Sequence, residues 1–259
     1  MGRIGRSLFL VALLTGIPGL APAAPFSLYV QPIQVCNDAG TVCANSAQTL
    51  YEAEGDKIWA QAGIDLVFLP WVQFLETDYL SITDPSIDAT ELFDMWGEGH
   101  VPGAVNMWFV QTLESAGTAY GIALLGTVVG AGFAAIADAV FSYAGGAGRR
   151  DTIAHEIGHV LGLPHYNFSE PACTPPADSA QNLMTSGSCR SPVTNISQIT
   201  PDGAMLARLT SAQIATALES DLLFDEAMEP IPEPASLLLL GGGLLLGHRR
   251  LRRRGGKGE

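Results

Sequence analysis

The eleven residues His155-Glu156-Ile157-Gly158-His159-Val160-Leu161-Gly162-Leu163-Pro164-His165 carry the densest chemistry in the chain of 259 residues. On a helix, His155 and His159 are four positions apart, so their imidazoles leave one face about 6 Å apart along the axis. That spacing lets two ring nitrogens converge on one zinc ion. Gly162 allows the backbone to leave the helix, and three residues later His165 can return as a third ligand. Three neutral imidazoles leave a coordination position for water. Zinc in such a site lowers the pKa of that water and polarises a carbonyl, while Glu156, next to the first ligand, accepts the water proton and later delivers one to the leaving amine. The chemistry is peptide-bond hydrolysis without a serine or cysteine nucleophile. A structural zinc site has no use for Glu156 and fills its fourth position. Three of the five histidines fall in this run, and His100 reads as a loop residue.

The stretch His155 to His165 resembles the metzincin pattern of zinc peptidases, HExxHxxGxxH, at every defining position. The resemblance implies zinc on His155, His159 and His165, Glu156 as general base and Gly162 at the turn. It also implies a methionine turn beneath the metal, for which Met184 in Asn182-Leu183-Met184-Thr185 is the candidate. The fold it implies is α/β, an α+β zincin. A twisted mixed five-stranded sheet and long helices form an N-terminal subdomain (residues 24–162), and a smaller C-terminal subdomain (163–222) holds the methionine turn and a terminal helix. An extended polypeptide substrate would lie between them along an edge strand. The flavour is matrixin-like or pappalysin-like. Tyr166 replaces the Ser or Asp that several relatives carry after the third histidine; it either lines the cleft or packs beside His165. Ser186 stands where astacin-like and serralysin-like relatives place a ligating tyrosine, and Cys36 lacks a cysteine-switch pattern.

The elements that must position these residues are less sharply written. Phe26 to Val35 reads as a first strand, Ser46 to Ala62 as an amphipathic helix ended by Gly63, and Ile64 to Leu69 as a second strand. Pro70 to Pro102 reads as a surface excursion with a short helix near Ala89–Met95. Val105–Val110 and Tyr120–Leu125 are strand candidates, and Phe133–Tyr143 is either an edge strand or a helix. Glycines and Asp138 argue against a membrane span over Gly121–Tyr143. Thr210 is placed to cap a last helix running through Ile214 and Leu218.

Both ends of the chain are basic and the middle is acidic. Residues 1–23 have the Arg-bearing start, apolar run and Ala21-Pro22-Ala23 ending of a signal peptide cut after Ala23. Residues 223–234 read as a linker. Ile231-Pro232-Glu233-Pro234, a Leu- and Gly-rich stretch and an arginine cluster to Arg254 resemble the PEP-CTERM sorting signal of Gram-negative bacteria, which implies a signal peptidase and an exosortase-like enzyme as processing partners. The bland alternative is a simple membrane tether. Between the ends, Ala24 to Pro234 carries 25 acidic and 5 basic side chains, a formal charge of −20. That balance excludes a nucleic-acid partner held by a basic surface, and acidic loops could hold Ca2+ although no EF-hand spacing occurs. Cys36, Cys43, Cys173 and Cys189 all lie in the exported part, where disulfides are expected. Cys36–Cys43 and Cys173–Cys189 close the shortest loops, while three pairings remain open. The reading is a monomeric exported zinc endopeptidase, transiently membrane-associated through its tail and destined for the cell surface or extracellular matrix. The alternatives are a zinc-retaining but non-catalytic surface or matrix binding protein, and a structural matrix component.

Overall fold

The computed structural model describes residues 26–82, 94–95, 97, 100–115, 117–127, 130–166, 179–187 and 189–225. The expected signal peptide, the sorting tail, the linker beyond residue 225, Cys173 and most of the Ala89–Met95 helix lie outside these residues. In chain order the elements are β1 (Phe26–Cys36), α1 (Glu52–Trp59), β2 (Ile64–Phe68), β3 (Val72–Leu75), β4 (Ser81–Ile82), β5 (Val105–Val110) and β6 (Thr112–Ser115). They continue with β7 (Gly117–Thr118), β8 (Gly121–Ala123), β9 (Gly132–Ala137), α2 (Ala139–Gly146), α3 (Thr152–Val160), α4 (Ser211–Ala217) and β10 (Leu223–Asp225). The architecture is mixed α/β.

β1 organises the main sheet. One edge of it pairs in parallel with β2 and then β3, and the other pairs antiparallel with β10 and parallel with β5. β9 follows β5 in parallel, and β8 closes the path antiparallel. Among the described residues the sheet therefore has seven strands rather than the five expected. Two causes account for the difference. Pro70 has no N–H to continue the ladder, so one position across the sheet is split into β2 and β3. The second cause is β10, formed by residues assigned from sequence to the linker.

Alternation along the strands sorts the core into two layers. Leu28, Val30, Val105, Met107, Phe109 and Ile136 pack with Trp59 of α1 and with Ile153, Ile157 and Val160 of α3. Ile33, Val35, Trp108 and Phe133 point to the other face, toward Leu80, Ile82 and Leu113 of the small β4-β6-β7 sheet region. That small sheet also replaces part of the expected surface excursion.

The helices are short where long ones were expected: α1 has 8 residues and α3 has 9. The Ser46–Ala62 helix is cut back to Glu52–Trp59 plus a 3-10 turn at Ala60–Ala62. Its first turns cannot form, because Asn45, Gln48 and Tyr51 adopt φ of 41°, 51° and 52°. The Asn45 side chain accepts from Thr49 N at 3.0 Å and donates to Thr49 O at 2.9 Å, which satisfies the backbone in a turn instead. Phe133–Tyr143 is neither an edge strand nor one helix. It holds most of β9, buried between β5 and β8, and then the start of α2, with Asp138 at the junction accepting from Asn45 N at 2.7 Å. Cys36 and Cys43 form a disulfide, and Cys189 is also disulfide-bonded.

Thr210 caps α4 as expected, through a reciprocal capping box with Gln213. Gln213 then reaches Asn182, exchanging side-chain hydrogen bonds of 2.8 and 3.0 Å. The last helix is thereby tied to the turn that holds Met184. Thr210→Ala should lower unfolding stability by about 1 kcal/mol, and Gln213→Leu by more because it also strips the partner from buried Asn182; chemical denaturation followed by tryptophan fluorescence measures both.

Candidate metal centre

α3 divides its faces between core and cleft. Ile153, Ala154, Ile157 and Val160 enter the core, and His155, Glu156 and His159 face the opposite way into the cleft. The helix ends in a Schellman pair: Gly162 N–H donates to His159 O at 2.9 Å and Leu163 N–H to Gly158 O at 2.9 Å. Gly162 has φ of 87°, a left-handed conformation that an L side chain strains to adopt. The reversal brings His165 back over the helix. The three imidazoles then lie with ring centroids 4.7, 4.7 and 5.5 Å apart, and one ligand atom from each falls within 4.8 Å of the others.

The ring tautomers are set by backbone carbonyls. His155 Nδ1 donates to Leu183 O at 2.6 Å and His159 Nδ1 to Leu163 O at 2.7 Å, so each Nε2 keeps its lone pair for a metal. His159 Nε2 and His165 Nε2 stand 3.2 Å apart. Two nitrogens sharing one tetrahedral zinc are separated by about 3.3 Å, so the donor set fits that ion. Burial, and then Arg190 and His159, hold His155 well below the usual imidazole range; burial, and then His165, bring His159 down to about 4. Neutral imidazole is the form that binds a metal.

Met184 packs against α3 at Gly158. It is fully buried, and its sulfur lies 2.4 Å from where a Cβ on Gly158 would stand, so any larger residue at that helix position has to displace the Met184 side chain. Asn182 shapes the turn by accepting Met184 N–H at 2.9 Å, and Met184 O accepts Tyr166 N–H at 2.8 Å. Tyr166 packs partly buried against the core and is not among the residues lining the cleft.

Glu156 shares a cleft of about 540 Å³ with the three histidines. Its other wall is the β8 region, where a Cβ on Gly121 would stand 2.6 Å from Glu156 Oε1. Burial pushes the Glu156 carboxyl up to about 8, against the opposing pull of Arg190 and Arg149.

Sequence reasoning missed Gly158, Gly121, Asp151, Arg149 and Arg190. Arg190 donates to Leu183 O at 2.7 Å, the carbonyl that His155 uses, and packs against His155 Nδ1. Its Nε lies 2.9 Å from Asp151 Oδ2, with both side chains sealed from water. Neither atom has a hydrogen-bond partner of good geometry, so the contact acts as an ion pair. The available signal was scarcity: Arg149 and Arg190 are two of only five basic residues between Ala24 and Pro234. His155, His159 and His165 are the group gathered for a metal among the described residues, and no cluster of acidic side chains suited to Ca2+ is found there.

Residues 230–254 match the PEP-CTERM protein-sorting motif, which marks a chain for export in Gram-negative bacteria with its C-terminus processed at the membrane by an exosortase-like enzyme. No curated protein matches the sequence. Among solved structures, metalloproteinase-II from Bacteroides fragilis is similar over 78% of this chain and 55% of its own, with 18% identity and a TM-score of 0.45. A chain of a chaperone-substrate complex is similar over 57% of this chain and 25% of its own, with 15% identity and a TM-score of 0.34. The GM1-bound form of the ECX AB5 holotoxin is similar over 64% of this chain and 67% of its own, with 17% identity and a TM-score of 0.30. The chain thus spans about half the length of the metalloproteinase.

Two outcomes follow from the packing and charge at the centre. Gly158→Ala should destabilise by about 1–3 kcal/mol through overpacking on Met184, and Met184→Ala in the same chain should recover part of the loss, read as a double-mutant cycle in denaturant. In metal-free protein, the raised Glu156 pKa means that the folded state holds a proton which the unfolded state releases above its ordinary value of 4.5. Stability from this group therefore falls as pH rises from 4.5 toward 8. Thermal melts between pH 6.5 and 8, above the histidine transitions, should show that fall in the unmodified chain and not in Glu156→Gln.

Proposed function

We propose that the protein is an exported zinc-dependent endopeptidase that hydrolyses polypeptides with Glu156 as general base. The observation that carries this reading is the convergence of His155, His159 and His165 on the cleft in which the Glu156 carboxyl is buried against an edge strand. His155, His159 and His165 are the proposed ligands, with Gly162 and Met184 as their structural supports.

Zinc, when bound there, supplies a Lewis acid that makes water acidic near neutral pH and polarises the scissile carbonyl. The chain's own residues do the rest. Glu156 takes the proton from the attacking water on its carboxylate and gives one to the leaving amine nitrogen. The Leu163 and Leu183 carbonyls keep the imidazoles oriented, and Arg190 anchors the second carbonyl from behind. Among the described residues β8 ends the main sheet and pairs on one side only within it, leaving an edge along which an extended peptide can add its backbone hydrogen bonds. The arrangement suits an endopeptidase acting as a monomer. Signal-peptide removal after Ala23 and tail processing would deliver the body to the cell surface or extracellular matrix.

The test uses full-length protein, elemental analysis and a mixed peptide library. The expected result is one zinc per chain with cleavage that falls on the order of 10²–10⁴-fold in Glu156→Ala while zinc is retained. Full zinc occupancy without cleavage by the unmodified protein would transfer the assignment to a non-catalytic zinc-retaining binding protein. Absence of zinc would overturn both.

A further inference from the structure

Three arginines lie close together beside α3, and two of them have carboxylate partners. Arg150 meets Glu54 at 2.6 Å and Arg190 meets Asp151 at 2.9 Å. Arg149 has no carboxylate within ion-pair distance among the described residues. It is nevertheless only 4% exposed and lines the cleft that holds Glu156. Nη2 donates to Gly187 O at 3.0 Å, the guanidinium carbon sits 4.9 Å from the Tyr120 ring centroid, and the buried Nε has no hydrogen-bond partner.

A buried cation costs free energy unless an anion or enough hydrogen bonds compensate it. The direct contacts of Arg149 are one carbonyl and one aromatic face, and the Glu156 carboxyl of the same cleft is coupled to it only electrostatically. Those two contacts fix the plane of the guanidinium without neutralising it, so its fork is preorganised before any substrate arrives. The group matched by a planar fork is a carboxylate, bound through paired charge-assisted hydrogen bonds. We propose that Arg149 is a specificity-determining residue that binds a carboxylate of the peptide substrate close to the scissile bond, supplied by an acidic side chain or by the peptide's own C-terminus. This rests on the endopeptidase reading of the same cleft. The recognition is short-range, because Ala24 to Pro234 carries a formal charge of −20 that repels acidic peptides at a distance.

Four matched fluorescent peptides test the proposal with the full-length zinc-loaded protein: an acidic or amide residue beside the cleavage position, each with a free or amidated C-terminus. Carboxylate-bearing peptides should be cleaved with kcat/KM about tenfold or more above the neutral amidated one, mainly through KM. The peptide pair that shows the advantage identifies which carboxylate is read. Arg149→Gln should abolish the advantage, lowering kcat/KM for the carboxylate-bearing peptides about tenfold more than for the neutral amidated one. Should Arg149→Gln fail to fold, Arg149→Lys, which keeps the charge but loses the fork, should reduce the advantage at least about threefold. No advantage in the unmodified protein, or one unchanged by substitution, overturns the assignment. If the unmodified protein cleaves none of the peptides, the endopeptidase reading fails separately. Fluorescence anisotropy of the same peptides then decides for Arg149: tighter binding of carboxylate peptides that is lost on substitution supports it, and equal binding of all four overturns it.

Discussion

Two main-chain carbonyls, those of Leu163 and Leu183, hold the centre in shape by accepting the Nδ1 protons of His159 and His155. Each carbonyl has to arrive from a different direction. Leu163 is delivered by the reversal at Gly162, which also returns His165. Leu183 is delivered by a turn braced from Asn182 and Gln213, and therefore from the cap of α4. Gly158 presents no side chain to Met184, which leaves the turn room to pack closely on α3. Much of the C-terminal part of the fold can thus be understood as support for a single carbonyl oxygen.

The parts legible in the sequence are those decided locally. The end of α3 was legible because a helix, a glycine at C′ and an apolar residue after it specify the reversal with no help from elsewhere. The cap at Thr210 was legible for the same reason. The start of α1 was not, because the side chain of one residue, Asn45, claims the backbone of Thr49 and diverts a stretch whose composition suits a helix. The sequence leaves β9 between an edge strand and a helix because its alanines have no periodic signature; only the neighbours on both sides, β5 and β8, make six small and apolar residues a buried central strand. Arg149 and Arg190 acquire their roles through contacts 38 and 7 residues away, which no local pattern announces.

Charge is distributed in two regimes. Among the described residues most acidic side chains, such as Asp38, Asp65, Asp78, Asp202 and Asp221, are exposed, where they repel anionic surfaces. The scarce cations are mostly drawn inward: Arg149 and Arg190 are buried, and Arg150 covers Tyr51 while pairing with Glu54. Around the centre this arrangement lowers the proton affinity of the imidazoles, and it opposes the rise that burial alone imposes on Glu156. The same few cations tune the base and line the space in front of it.

β10 gives the molecule a mechanical polarity. Phe26 and Asp225 are direct partners across the β1–β10 ladder, so the chain enters and leaves the described fold at one spot. A pull on the segment that follows residue 225 falls first on a ladder of three residue pairs and loads it by peeling, one pair at a time. The remaining ladders of β1, with β2, β3 and β5, and the helix that bears the histidines lie behind that short seam. Tension on the segment after residue 225 would therefore load the β10 seam first, and α4 with its tie to Asn182 next.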